Sequence, residues 1–184
     1  MIEIELKPQI DDTLTDISLV HDPAIESLFL LFSKEKKTYY FSSDEKQILT
    51  GAVLIPEMRI YRRDGDNEYN VYFSADTVRT LSQQFLANEK NHSFTLEHGE
   101  KTEDVCLVES WIVEDSEKDK SAALGLDLPV GSWVMSVKIN SQELWNEIKE
   151  GKFRGFSIAG LFKQEMSEEE RIIKEAEEFI QNQE

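Results

Sequence analysis

Apolar residues alternate with polar ones along most of this chain, and this period of two constrains the fold more than any other feature. At the start, Ile2, Ile4 and Leu6 alternate with charged residues, which is the pattern of a strand with one buried face. The Asp64-Gly65 pair predicts a hairpin turn between two such segments. The remaining candidate strands are residues 48–55, 58–62, 69–73, 92–98, 105–113, 132–139 and 155–162.

Helices are few and lie in the connections between strands. Ser74 predicts the start of one helix, since a serine hydroxyl caps free backbone amides. Asn140 and Glu143 form a capping-box pattern for a second helix that ends at Gly151. A third helix is predicted to begin at Ser167. The sequence therefore predicts short, mostly antiparallel strands with helices packed around them.

The chain of 184 residues has the length of one domain with short tails. We expect residues 1–165 to form a β-rich α+β domain, a partly closed, mostly antiparallel β-barrel with flanking helices. Residues 166–184 are expected to form an acidic C-terminal helical appendage, either a solvated helix or a helix that binds a partner. The long polar segment 114–131 is predicted to be a mobile surface loop.

The charge balance argues against two classes of partner. The chain has 20 basic and 37 acidic residues and a formal net charge of -17. Without a basic stripe, direct binding to nucleic acid or to an anionic membrane surface is not expected. The lone Cys106 favours a reducing compartment. The longest apolar stretch, residues 28–32, is too short to cross a bilayer, and the first residues lack the pattern of a signal peptide.

Three polar residues, His98, Glu109 and Ser157, fall on strand rows that are otherwise apolar. If these rows face one another, Ser157 gives its proton to His98, and Glu109 accepts a hydrogen bond from the far nitrogen of the imidazole. This arrangement activates a serine hydroxyl, and it also provides a partner for a buried carboxylate. The same pattern arises without catalysis, from a small residue that fits a strand, an exposed terminal histidine or a wrong assignment of strand faces.

Metal and cofactor chemistry is not indicated. The three histidines, His21, His92 and His98, are scattered and have no metal-ligand spacing with Cys106. The chain also lacks a glycine-rich phosphate-binding loop. We therefore predict neither a metal nor a cofactor.

The order of several short motifs resembles one group of prohead proteases, the capsid-maturation serine proteases of tailed phages. The resemblance covers about residues 17–162, nearly the whole predicted domain. Two motifs are the most specific, Glu109-Ser110-Trp111-Ile112-Val113 and Gly155-Phe156-Ser157-Ile158. The other motifs include Ile17-Ser18-Leu19-Val20-His21-Asp22-Pro23-Ala24-Ile25, Leu96-Glu97-His98 and Gly131-Ser132-Trp133-Val134.

The resemblance implies a barrel like that of the herpesvirus assemblins, with the catalytic histidine and serine on neighbouring strands. His98 matches the family histidine and Ser157 the family serine. Herpesvirus enzymes use a second histidine as the third member, but this chain has no histidine after Ser157. An acidic residue is therefore expected in that role, with Glu109 as the first choice and Asp115 as the reserve.

The resemblance also implies a place and a substrate. Such enzymes are packaged inside the procapsid in the host cytoplasm, where they cleave the scaffold protein and trim tails of the major capsid protein. A homo-oligomer is possible, but the resemblance does not determine the oligomeric state. Two alternatives remain, namely a non-catalytic capsid-associated or scaffolding protein with the same barrel, and an unrelated small β-barrel that binds a ligand.

Overall fold

The computed structural model describes residues 2–9, 13–23, 46–65 and 67–166. Within these ranges the chain is β-rich, as predicted, with few helices. The helices are α1 (Ala75–Ala87), α2 (Lys120–Ala123) and α3 (Gln142–Lys149). The strands are β1 (Ile2–Pro8), β2 (Leu14–Val20), β3 (Ile48–Leu54), β4 (Ile60–Asp64), β5 (Asn67–Tyr72), β6 (Phe94–Leu96), β7 (Lys101–Thr102), β8 (Val105–Ile112), β9 (Trp133–Ile139), β10 (Gly155–Gly160) and β11 (Phe162–Met166).

The described strands form three sheets. Sheet I has the order β11-β1-β5-β4, sheet II the order β10-β2-β6-β7, and sheet III the order β3-β9-β8. All their ladders are antiparallel except β1–β5 and β2–β6. Strand β10 at the edge of sheet II lies against β3 at the edge of sheet III. No ladder within the described ranges closes these sheets into a barrel, so the predicted barrel stays a prediction.

Local signals define the helices and turns. Ser74 caps α1 as predicted, with its hydroxyl accepting a hydrogen bond from the first turn. The cap of α3 is Ser141, one residue after the predicted Asn140, and Gly151 follows that helix with a φ of +80°. The helix predicted within residues 167–184 lies outside the described residues. None of the described helices is long and apolar enough to cross a membrane.

The main core lies between the sheets and α1. Phe85 of α1 packs edge-on against Trp133 of β9, with ring centroids 5.8 Å apart, and against Phe94 of β6 at 6.3 Å. All three rings are almost completely buried. Because aromatic rings bury a large apolar area, this cluster fixes the short strand β6 against the rest of the molecule.

The segment 114–131 is more structured than its polar composition suggests. Asp119 caps the short helix α2 and accepts a hydrogen bond of 2.9 Å from the indole of Trp111. Leu126 and Leu128 are buried in a second, smaller apolar cluster. The segment is therefore a surface connection that two leucines attach to sheet III.

Candidate active site

Three hydroxyl residues form a row across sheet II. The register places Ser157 of β10 opposite Ser18 of β2, and Ser18 opposite Thr95 of β6. Residues that face each other in register project to the same side of a sheet. Ser18 is fully buried, Thr95 is nearly so, and their hydroxyl oxygens lie 2.5 Å apart. The strand register by itself therefore aligns the three hydroxyls.

His98 reaches this row from a tight turn that follows β6. The strand ends at Leu96, and Glu97 and His98 have φ values of +48° and +56°. The amide of Gly99 donates to the carbonyl of Leu96 at 2.8 Å, which gives the geometry of a type I′ turn. Each non-glycine residue in this left-handed region costs about 1–3 kcal/mol, and such strain is concentrated at functional sites.

The imidazole of His98 bridges two serines. Its Nε2 lies 3.1 Å from Ser157 Oγ, and its Nδ1 lies 3.1 Å from Ser18 Oγ. With the contact between Ser18 and Thr95, the result is a continuous chain of hydrogen bonds. The side chains of His98 and Ser157 thus meet, but a turn and not the predicted strand row with Phe94 and Leu96 brings the histidine there.

The direction of the protons in this chain determines what it does chemically. A serine hydroxyl donates or accepts, whereas a carboxylate only accepts. When Nδ1–H donates to Ser18, and Ser18 donates to Thr95, Nε2 is left free to accept the proton of Ser157. In that state the arrangement is one that activates a serine nucleophile.

Glu109 does not make the predicted contact with His98. Strand β8 has a bulge at Val108, because the register passes from Leu107 directly to Glu109 along β9. A bulge shifts the alternation by one residue, so Leu107 packs into the main core while Glu109 faces outward, half-exposed. Its carboxylate pairs with Lys120 of α2, and that hydrogen bond lowers the pKa of the Glu109 carboxyl.

Asp115, the reserve acid, is also occupied elsewhere. Its Oδ1 accepts backbone hydrogen bonds from Glu117 at 2.9 Å and Lys118 at 3.1 Å. It organises the start of the segment that leads to α2, and its bonds do not reach His98. The hydrogen bonds of both predicted acids thus go to groups other than His98, and the hydroxyl at His98 Nδ1 is that of Ser18.

The other histidines are not part of this chain of contacts. The Nδ1 of His21 lies 2.9 Å from the carboxylate of Asp22. The Nε2 of His92 lies 3.8 Å from the sulfur of Cys106. Among the described residues, no group of three His, Cys, Asp or Glu side chains is placed to hold a metal ion.

Ser18 and Thr95 are the site residues that the sequence analysis does not identify. Strand β2 is not among the predicted strands, although the first motif of the family resemblance begins within it, at Ile17. The available signal is a serine between Ile17 and Leu19, which puts a hydroxyl inside an apolar run. That signal is weak, because a small polar residue is common in a strand.

Comparisons with known proteins point to one family of phage proteins. A family model described as "Putative phage serine protease XkdF" matches residues 36–166. The "Uncharacterized protein YqbD" of Bacillus subtilis (strain 168) is 27% identical over 160 residues, which cover 80% of this chain and 44% of the relative. The "Phage-like element PBSX protein XkdF" of the same organism is 28% identical over 156 residues, which cover 83% and 47%. This chain thus spans less than half the length of these relatives. No solved structure matches it significantly.

Proposed function

The chain belongs to the family of the putative phage serine protease XkdF, and from this premise we propose that it is a serine endopeptidase. Ser157 is the nucleophile and His98 is the general base. The observation that carries the proposal is the 3.1 Å contact between His98 Nε2 and Ser157 Oγ. A serine hydroxyl is a weak nucleophile, and an adjacent imidazole is the group that activates it.

The reaction follows from this contact. Ser157 Oγ attacks the scissile carbonyl carbon while His98 Nε2 takes the hydroxyl proton. His98 then gives that proton to the departing amine, and an acyl group remains on Ser157. A water molecule, deprotonated by His98, releases the acyl group and restores the serine.

Ser18 is a positioning residue in this scheme. Its Oγ accepts from Nδ1–H of His98, and its own hydroxyl donates to Thr95. These bonds keep the single N–H proton of the neutral imidazole on Nδ1, so that Nε2 faces Ser157 as an acceptor. Because Ser18 is buried, water does not compete with it for the imidazole.

We further propose that the natural substrates are the scaffold protein and the tails of the major capsid protein, cleaved inside the procapsid in the host cytoplasm. The phage family supports this role, as does a relative that is named for a phage-like element. A homo-oligomer stays a prediction.

The assemblin-like barrel is part of the same proposal. The edges of β10 and β3 adjoin, and a Cβ on Gly51 of β3 would lie 3.4 Å from the ring of Phe156 on β10. We expect these two strands to close one wall of the barrel. An experimental structure in which β3 and β10 are separated would contradict this arrangement.

The test compares two serine variants. The protein is treated with a fluorophosphonate, and modification is measured by intact mass. It is also co-expressed with the scaffold and capsid proteins of its phage. Ser157→Ala should abolish both modification and cleavage while the fold persists, since alanine fits the same strand position. Ser93→Ala, at another partly buried serine, should behave like the wild type.

The outcomes separate the functions. Wild-type cleavage by Ser157→Ala would end the assignment of the nucleophile. If the wild-type protein shows neither modification nor cleavage, the non-catalytic capsid-associated alternative is favoured.

A further inference from the structure

A cleft of about 380 Å³ opens beside Ser157, between sheet I and strand β10. Its floor is formed by apolar side chains that are at least 93% buried. The floor residues include Val53, Leu54, Ile60, Val71 and Phe73. Ligand sites in proteins have volumes of roughly 300–1,000 Å³ and mostly apolar linings. The cleft is therefore large enough for an extended side chain.

The rim of the cleft differs from its floor. Arg62 and Gln164 line it and are exposed, and Leu161 is 64% exposed next to strand β10. An apolar interior with a few polar groups at the mouth is typical of a site that binds an apolar group and orients the polar chain attached to it. A peptide has this character, with an apolar side chain on a polar backbone.

We propose that this cleft receives a large apolar side chain of the substrate, on the residue whose carbonyl Ser157 attacks. The proposal rests on the proposed function and adds a substrate class to it. Ser157 itself lines the cleft. The side chain that is nearest to an attacked carbonyl carbon is attached to the adjacent Cα, so it enters the space beside the nucleophile. Peptides with Leu, Met or Phe at this position are thus preferred over peptides with Ala or Asp.

The size of the preference follows from burial. Differences of one or a few methylenes in an apolar enzyme pocket change kcat/KM by roughly 10–200-fold. Since the floor side chains are almost completely buried, a leucine side chain that reaches them is itself buried from solvent. We therefore expect at least about tenfold discrimination of leucine over alanine.

The test uses peptidyl diphenyl phosphonates, which modify an activated serine. Probes that carry an alanine, leucine, phenylalanine or aspartate side chain next to the phosphorus are reacted with the whole chain. The rate of Ser157 modification is measured by intact mass. The leucine and phenylalanine probes should react at least about tenfold faster than the alanine probe. Equal rates for alanine and leucine, or the fastest rate with aspartate, would overturn the proposal.

Failure of the proposed function gives a different result. In that case no probe modifies Ser157, and a small fluorophosphonate does not modify it either. An unselective enzyme, by contrast, reacts with all probes at similar rates. Ser157→Ala should remain unmodified throughout.

A pair of variants tests whether the selectivity comes from the cleft. Leu6 of β1 lines the cleft and is only partly buried, so Leu6→Trp adds volume there without overfilling the core. We expect the leucine probe to react about tenfold more slowly and the alanine probe to change less than about twofold. Leu124→Trp is the matched control, because Leu124 is also partly buried but packs against the second cluster. If Leu6→Trp slows both probes equally, the cleft does not hold the side chain.

Discussion

Replacing Ser18 by alanine tests the third position of the site. The change removes the hydrogen bond to His98 Nδ1, so the imidazole loses the group that fixes its orientation and the location of its proton. A typical hydrogen bond contributes about 0.5–1.5 kcal/mol, and 1.36 kcal/mol corresponds to a factor of ten in rate. We expect fluorophosphonate modification of Ser157 to slow roughly tenfold.

The same substitution also affects stability, and the two effects are separable. The nearly buried hydroxyl of Thr95 loses its contact with Ser18, which costs about 1–3 kcal/mol of unfolding free energy. In the double variant Ser18→Ala/Thr95→Val both hydroxyls are absent, so no buried polar group is left unsatisfied. The double variant should recover stability in urea unfolding while its modification rate stays low.

The assay is the rate of Ser157 modification by intact mass at each pH between about 6 and 9, with urea unfolding of the same samples. Wild-type modification rates in Ser18→Ala would refute a positioning role. If the rate recovers together with stability in the double variant, Ser18 acts only through the fold.

Three further substitutions, the last of them with a matched control, test other parts of the structure. His98→Asn should abolish modification yet leave the unfolding free energy unchanged or raise it by up to ~1 kcal/mol, because asparagine tolerates a positive φ. A loss of unfolding free energy in urea would contradict the view that the turn is strained at this residue. Glu109→Gln should leave the modification rate within about twofold and lower stability by less than ~1 kcal/mol, as the ion pair is half-exposed. Because the hydrogen bond from Lys120 holds the pKa of the Glu109 carboxyl below its usual range in the folded state, this contribution is present at neutral pH. Urea unfolding should show it disappear as the pH falls through the folded-state pKa. Gly160→Ala should cost about 1–3 kcal/mol, since its Cβ would lie 2.5 Å from the carbonyl oxygen of Thr13, whereas Gly51→Ala, with ordinary contacts, should have a much smaller effect in the same measurement.

Local patterns predict much of the fold. Alternation places β1, β8, β9 and β10 within a few residues of their observed bounds, and an apolar run that stops at Pro56 places β3. The Asp64-Gly65 pair marks the β4–β5 hairpin, and Gly65 has the positive φ that such a turn requires. Strand β2 is different, since it pairs in parallel with β6, more than 70 residues away. Nothing in the local pattern of β2 encodes such a distant partner.

The candidate site shows where period-two reasoning stops. One inserted residue, Val108, shifts the alternation of β8 by one residue, so Glu109 and the residues after it point to the opposite face from the one predicted. The sequence gives no sign of that bulge, because the residues on both sides continue to alternate. The turn at Glu97 and His98 is equally hidden, since type I′ turns normally contain asparagine or glycine at their centre. Ser157 alone is both predicted and reached by simple alternation.

Strand β2 contributes to both parts of the site, the row of hydroxyls and the strained turn that carries His98. The row of hydroxyls needs no strained residue, since register alone aligns Ser18 with its neighbours. The imidazole, by contrast, depends on two left-handed residues, and such strain persists only where surrounding contacts enforce it. Two of those contacts come from β2 and the residue after it: Glu97 N donates to Leu19 O at 3.0 Å, and the Glu97 carboxylate accepts from the His21 amide at 2.6 Å. A shift of β2 would therefore remove Ser18 and release the turn that carries His98 together. Since β2 precedes the family match at residues 36–166, the matched region alone holds His98 and Ser157 but lacks the strand that brings them into register.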